Sequence, residues 1–170
     1  MTTRTLLRAA VAAVAALALA ACGSSGSGST ASSGPVTAGD PWVKSAESGM
    51  TAAFMTLTNT TDKDLVLVKA ATPAAGMVEL HEMAMKDGEM VMQPKEGGIP
   101  IKAGASATLQ PGGDHIMLMD IPAPITAGEK VSLTLTFDDG STLAVEAVAK
   151  DFDGGNESYE PSPSMSMSGM

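Results

Sequence analysis

Cysteine and basic residues are scarce in this chain, and each shortage excludes a class of function. The 170 residues include one cysteine, Cys22, so an internal disulfide and a zinc site built from several cysteines are excluded. A blue-copper centre is excluded as well, because it needs a cysteine ligand within the domain. Ten Lys and Arg residues against 19 Asp and Glu give a formal net charge of −9. So acidic a chain is not expected to bind nucleic acid, whose phosphates require basic side chains.

Long apolar runs are scarce too, and the one present is Ala9–Ala21, which follows Arg4 and Arg8. It is too short to span a bilayer comfortably but suits the core of a signal peptide. The run ends in Leu19-Ala20-Ala21-Cys22, which resembles a bacterial lipobox, where the cysteine becomes the first mature residue and carries lipid. We therefore expect residues 1–21 to be a lipoprotein signal peptide and Cys22 to be the lipidation site. The protein would be exported and attached to the outer face of the cytoplasmic membrane only through its lipid. A secreted protein with an incidental cysteine is the alternative.

Composition divides the rest of the chain into three parts. Residues 22–35 are mostly Ser, Gly, Thr and Ala, which is typical of a flexible tether. Residues 36–152 are enough for one domain with its own core. Residues 153–170 are rich in Gly, Ser, Pro and acidic side chains, so we expect a disordered tail. That tail contains Met165, Met167 and Met170.

Short strands and turns fill the expected domain, and no stretch has a convincing amphipathic helical period. Apolar and polar residues alternate with period two over residues 131–137, as in a half-buried strand. Asp87-Gly88 is typical of a two-residue hairpin turn. The pattern predicts a single all-β domain, a sandwich or a barrel. The predicted strands are 50–58, 65–70, 77–86, 89–93, 99–102, 106–109, 115–121, 131–137 and 142–149.

Methionine alternates along the predicted hairpin. A two-residue turn at Asp87-Gly88 would pair Met85 with Met90, and Met83 with Met92. Cross-strand partners share a face of the sheet, and so do alternate residues of one strand. One face of the hairpin would therefore collect one imidazole and four thioethers, from His81, Met83, Met85, Met90 and Met92.

The second histidine begins a similar run. His115, Met117 and Met119 would share one face of a strand, while Ile116 and Leu118 would face the core. Thioethers bind copper(I) well and bind zinc, magnesium or calcium poorly, and imidazole suits copper in either oxidation state. This set would also survive an oxidising compartment, where paired cysteines could form a disulfide. The competing interpretation is that the methionines are core packing, since methionine is a common gap-filler.

The spacing resembles the motif of the periplasmic copper chaperone family known as PCu(A)C: a His, ten residues, a Met, twenty-one residues, and His-x-Met. Ten residues, 82–91, separate His81 from Met92, and His115-Ile116-Met117 supplies the His-x-Met. The gap 93–114 contains 22 residues, one more than the family pattern. Other segments also resemble the family, and the resemblance covers nearly all of residues 36–150.

This resemblance implies a cupredoxin-like Greek-key β-sandwich that binds copper(I). The implied ligands are His81, Met92, His115 and Met117. The family is associated with delivery of copper to the binuclear CuA centre of cytochrome c oxidase. The expected partner is therefore subunit II of that oxidase or another copper-handling protein.

Other methionines are candidates for auxiliary roles. Met83 and Met90 share the ligand face and could cover or replace a ligand, whereas Met119 is assigned to packing. Packing cannot explain methionines in a disordered tail. Capture or transfer of copper is therefore our hypothesis for Met165, Met167 and Met170.

Three classes of function remain open. The first is a copper-binding protein without catalysis, which either delivers copper or sequesters it for tolerance; both need the same site. The second is a copper enzyme or electron-transfer protein, which is disfavoured because two histidines are few for oxygen chemistry. The third is a metal-free surface lipoprotein whose β-sandwich binds a protein partner. With both histidines in Met-rich strands, no Ser-His-Asp set can be argued, and we do not expect an enzyme.

Overall fold

The computed structural model describes residues 34–154, and ten β-strands account for most of them. The all-β prediction is confirmed. The predicted signal peptide, Cys22, most of the tether and the tail methionines Met165, Met167 and Met170 lie outside the described residues. The strands are β1 (Val36–Lys44), β2 (Gly49–Asn59), β3 (Leu65–Ala71), β4 (Met77–Lys86), β5 (Glu89–Pro94), β6 (Ile99–Ile101), β7 (Ser106–Leu109), β8 (His115–Ile121), β9 (Lys130–Phe137) and β10 (Thr142–Lys150).

No helix within residues 34–154 has the length and apolarity needed to cross a membrane.

Strand β1 is the one strand that the sequence pattern did not predict, whereas the other nine agree with the prediction to within one residue at each end. Gly39, Asp40 and Pro41 interrupt the period-two pattern of β1. The register between β1 and β2 shifts between Gly39 and Trp42, and Asp40 has a left-handed φ of 47°. These are the features of a β-bulge, which interrupts the period-two alternation by which a strand is recognised in a sequence.

The ten strands form one continuous sheet, in the order β5-β4-β8-β2-β1-β10-β9-β3-β6, with β7 paired to β2. Strand β1 joins the two portions of this sheet, because it pairs antiparallel with β2 and parallel with β10. Both portions contribute to one buried core, with Leu80 and Ile116 from one portion and Leu133, Leu135 and Phe137 from the other. The two layers of the predicted sandwich are therefore connected through β1.

The opposite face of the β5-β4-β8-β2 portion carries a second, smaller buried cluster. Alternation along β8 sends Ile116 and Leu118 into the main core and Met117 and Met119 to the other side, as predicted. Met92 of β5 completes this cluster. We call this side of the four strands the methionine face; its methionines are Met50, Met77, Met83, Met85, Met90, Met92, Met117 and Met119.

Candidate metal centre

The two histidines meet on neighbouring strands. His81 of β4 and His115 of β8 are direct partners in an antiparallel ladder, and their ring centroids are 5.8 Å apart. His115 is the first residue of β8, and residues 111–114 before it form a turn. The family resemblance implied that the two histidines share one site, but local alternation does not show that β4 and β8 are neighbours, so this pairing results from the tertiary fold.

The predicted hairpin register is confirmed and brings Met92 to the histidines. Met83 pairs with Met92, as the two-residue turn required. The turn residues Asp87 and Gly88 have φ values of 54° and 90°, which suits a type I′ turn. In this register Met92 lies diagonally across from His81. The Sδ atom of Met92 is 3.0 Å from Nε2 of His115.

Each histidine ring is oriented by a hydrogen bond through one of its nitrogens. The Nδ1–H of His115 donates to the carbonyl oxygen of Gly113 at 2.9 Å, so Nε2 carries the lone pair that faces Met92. The Nε2–H of His81 donates to the carboxylate of Glu79, also at 2.9 Å, which places the ring lone pair on Nδ1. Histidines that bind metals commonly make such a bond through their second nitrogen, because it fixes the ring and its tautomer.

Met117 lies on the same face, two residues beyond His115. It packs in the same buried cluster as Met92, and its direct partner in β4 is Glu79. The structure thus brings all four predicted ligands together. Their exposed fractions are 0% for His81 and 5% for each of Met92, His115 and Met117. That these four side chains bind an ion stays a prediction.

A cavity of about 150 Å³ reaches this group from outside. Its lining residues include three of the predicted ligands, Met92, His115 and Met117, together with Phe54 and Phe152. The volume exceeds the roughly 30 Å³ occupied by one water molecule, so a single ion can be accommodated. His81 is fully buried and is not among the lining residues.

The two predicted auxiliary methionines of the hairpin differ in position. Met83 pairs with Met92 and packs against the buried methionine cluster, so it is close to the predicted ligands. Met90 is 52% exposed beside the turn, and its partner Met85 is 66% exposed. Met83 remains the better placed of the two candidates.

Glu79 is a residue of the site that the sequence interpretation missed. It precedes His81 by two positions, so alternation alone places both on one face of β4. The two-residue spacing of Glu79 and His81 was the feature of the sequence that could have identified Glu79 as part of the site. Its carboxylate accepts a hydrogen bond from the His81 ring, and Glu79 is the ladder partner of Met117, which makes Glu79 a candidate positioning residue of the centre.

Lys95 was also missed, and it connects the two histidine-bearing elements. Its ammonium group lies 2.5 Å from a carboxylate oxygen of Glu82 and 3.1 Å from one of Asp114. The hydrogen bond from Lys95 lowers the pKa of Glu82 below its usual value. Burial acts to lower the pKa of Lys95, but the bonds to Glu82 and Asp114 outweigh it and raise that pKa. This ion pair network ties β4 to the turn before His115. Its lysine is distant in sequence from both histidines, so no local pattern could reveal it.

The donor set of this centre favours soft ions. Within residues 34–154 no group of three or more His, Cys, Asp or Glu side chains could hold a metal ion. Two imidazoles and two thioethers, by contrast, are ligands that suit copper(I).

Comparison with known proteins shows the family of this chain. Residues 36–149 match the family described as "Putative lipoprotein LpqE-like". The chain belongs to this family. Over 119 residues it is 49% identical to "Putative lipoprotein Lxx21020" of Leifsonia xyli subsp. xyli, which covers 70% of this chain and 72% of that protein.

Solved structures of PCuAC domains resemble the chain, as expected for a PCuAC-family protein. DR1885 of Deinococcus radiodurans, in its apo form, is 34% identical with a TM-score of 0.56, covering 84% of this chain and 97% of that one. Its CuI form is 36% identical with a TM-score of 0.52, covering 76% and 86%. The copper-bound PCuAC domain of PmoF2 is 19% identical with a TM-score of 0.58, covering 70% and 95%, and shows the fold alone. The predicted cupredoxin-like β fold is confirmed.

Proposed function

We propose that this protein is a copper(I) chaperone, a binding protein without catalysis, and that His81, Met92, His115 and Met117 hold its ion. The observation that carries the proposal is the meeting of an oriented imidazole and a thioether, 3.0 Å apart, at the wall of a cavity. A relative that is 36% identical, DR1885, has been solved with CuI.

The chemistry of this set suits a carrier. All four ligands are neutral, so the bound ion keeps its single positive charge, and thioethers select copper(I) over harder ions. Thiolates would hold the ion more tightly and could be lost to disulfide formation in an oxidising compartment. A site of this kind can therefore bind the ion and release it to an acceptor.

The proposed location is the bacterial cell envelope, at the outer face of the cytoplasmic membrane, with Cys22 carrying the lipid. The names of the family and of its Leifsonia relative both include the word lipoprotein, which supports this placement. The proposed acceptor is the CuA centre in subunit II of cytochrome c oxidase, as the resemblance to the PCu(A)C family implies. An anchored chaperone would face the same space as that domain.

A competition titration tests the site. The full chain carrying Cys22→Ser, which removes its only thiol, is titrated with copper(I) in the presence of a chromophoric copper(I) chelator. We expect tight binding of the first ion, and loss of that binding in the His81→Ala/His115→Ala variant. Because both histidines are buried, circular dichroism must show that the variant folds.

Met92→Leu/Met117→Leu is a second test variant, since leucine conserves volume while removing the thioethers. The matched control is Met55→Leu/Met85→Leu, which also loses two thioethers, one from the main core and one from the exposed surface. First-ion binding that is indifferent to both test variants would contradict the proposal and favour the metal-free lipoprotein.

Delivery is separated from sequestration by a transfer experiment. The copper(I)-loaded chain is mixed anaerobically with the apo CuA domain of subunit II, and the copper content of the two proteins is measured after separation. We expect copper to move to the CuA domain. Retention of copper by the chain would refute delivery and leave sequestration as its function.

A further inference from the structure

Two half-exposed methionines of the methionine face are not explained by the centre described above. Met50 of β2 is 44% exposed and Met77 of β4 is 46% exposed. Methionine usually fills gaps in buried cores, and side chains with this much exposure do not serve that role. Both lie at the start of their strands, far along the sheet from the hairpin turn.

The sheet register places a third methionine between these two. Met119 of β8 is the direct ladder partner of Met50 on one side and of Met77 on the other. Directly opposed residues on one face have Cβ atoms about 4.5–5.5 Å apart. Three thioethers therefore form a row across three adjacent strands, with the two outer members reaching solvent. We call Met50, Met77 and Met119 the outer triad.

A β-bulge lies immediately beside the outer triad. Gly49 partners Ile121 while Met50 partners Met119, so Asp120 is left over, with a left-handed φ of 54°. The backbone N–H of Gly76 donates to the carbonyl oxygen of Asp120 at 3.1 Å, and this bond holds the beginning of β4 against the bulge. Bulges re-aim side chains and are over-represented next to functional sites.

The outer triad is continuous with the candidate centre. Met119 packs in the same buried cluster as Met92 and Met117. Met50 lines the same cavity as Met92 and His115. The outer triad and the inner ligands therefore share one face of the sheet, on the side opposite the main core.

We propose that Met50, Met77 and Met119 form a second, solvent-accessible copper(I) site that passes its ion to the inner centre. Three neutral thioethers form a donor set for which copper(I) is the favoured ion. Having no imidazole, this site binds more weakly than the inner one and fills second. The choice of ion rests on the proposed function, whereas the convergence of the three methionines rests on the sheet register alone.

Methionine methyl NMR tests this site directly. The full chain with Cys22→Ser is labelled with ¹³C at the methionine methyl groups and titrated anaerobically with copper(I). The first equivalent is expected to shift the methyls of Met92 and Met117, and the second to shift those of the outer triad together. In the Met50→Leu/Met77→Leu variant, the second-equivalent shift of Met119 should disappear while the first-equivalent shifts remain. The Met55→Leu/Met85→Leu control should change neither.

The outcomes separate this site from the proposed function. In the His81→Ala/His115→Ala variant the outer triad should still shift, because it uses no imidazole. A second equivalent that shifts only the tail methionines, or a Met119 shift that survives Met50→Leu/Met77→Leu, would overturn the second site and leave the inner one intact. Shifts of the outer triad without any at Met92 and Met117 would instead support the outer site and contradict the inner one.

Discussion

Replacing Met92 by leucine separates the ligand role of this residue from its packing role. Met92 is 5% exposed and lies in a buried cluster, so both interpretations require an apolar side chain of this size there. Leucine supplies one without a sulfur atom. If Met92 only packs, the variant should change neither the stability nor the copper(I) affinity appreciably. If Met92 binds copper, the copper(I) affinity should fall while the stability stays nearly the same.

The structure sets the size of both effects. Volume-conserving swaps in a core usually cost less than about 1.5 kcal/mol of unfolding free energy, whereas Met92→Ala should cost about 2–5 kcal/mol because it leaves a cavity. For copper(I), the lost sulfur lies 3.0 Å from Nε2 of His115. Loss of even an outer-shell partner of a metal costs about 10–100-fold in affinity, so we expect at least about a tenfold loss for Met92→Leu.

Two measurements on the same samples decide the result: urea unfolding and competition with a copper(I) chelator. Met55→Leu is the matched control, because Met55 is 2% exposed within the main core and belongs to no proposed site. We expect similar small stability changes in both variants and weaker copper binding in Met92→Leu alone. Equal copper affinities of the two variants would refute the ligand role and assign Met92 to packing.

Three further predictions follow from the geometry. Glu79→Ala should weaken copper(I) binding by about 10–100-fold through loss of ring positioning, with Glu79→Gln, which keeps an acceptor, retaining most of it in the chelator assay. Gly98→Ala should destabilise the fold in urea more than Gly88→Ala. Both positions have positive φ, which costs about 1–2 kcal/mol for a residue with a Cβ atom. At Gly98 the added Cβ would also clash with the backbone oxygen of Leu67, whereas at Gly88 it would meet nothing within 4 Å. Equal costs would contradict that clash. A hydrogen bond from Lys102 lowers the pKa of Asp64 below its usual value, so the folded state binds fewer protons there than the unfolded state. The resulting stabilisation is present above the usual pKa of an aspartate and is lost as the pH falls through the lowered pKa. Asp64→Asn should accordingly lower Tm at pH 7, with a difference that vanishes in acid; a difference constant with pH would exclude the charge effect.

The local part of this structure was predictable from the sequence. Short apolar and β-branched runs bounded by turn residues are local features, and they located nine strands. Alternation with period two, which is equally local, placed Met117 and Ile116 on opposite faces. The Asp87-Gly88 turn is equally local, and it fixed the register that pairs Met83 with Met92. Strand β1 was not predicted, because its bulge interrupts the alternation of apolar and polar residues.

Local sequence therefore specifies which side chains share a face within one strand or one hairpin. The pairing of β4 with β8, which makes His81 and His115 direct partners, and the position of Met119 between Met50 and Met77 depend on the tertiary fold. Strands far apart in the chain can pair in many orders and registers with equal local propensity. Burial of both sheet portions around one core selects among them, and that selection depends on the whole chain at once.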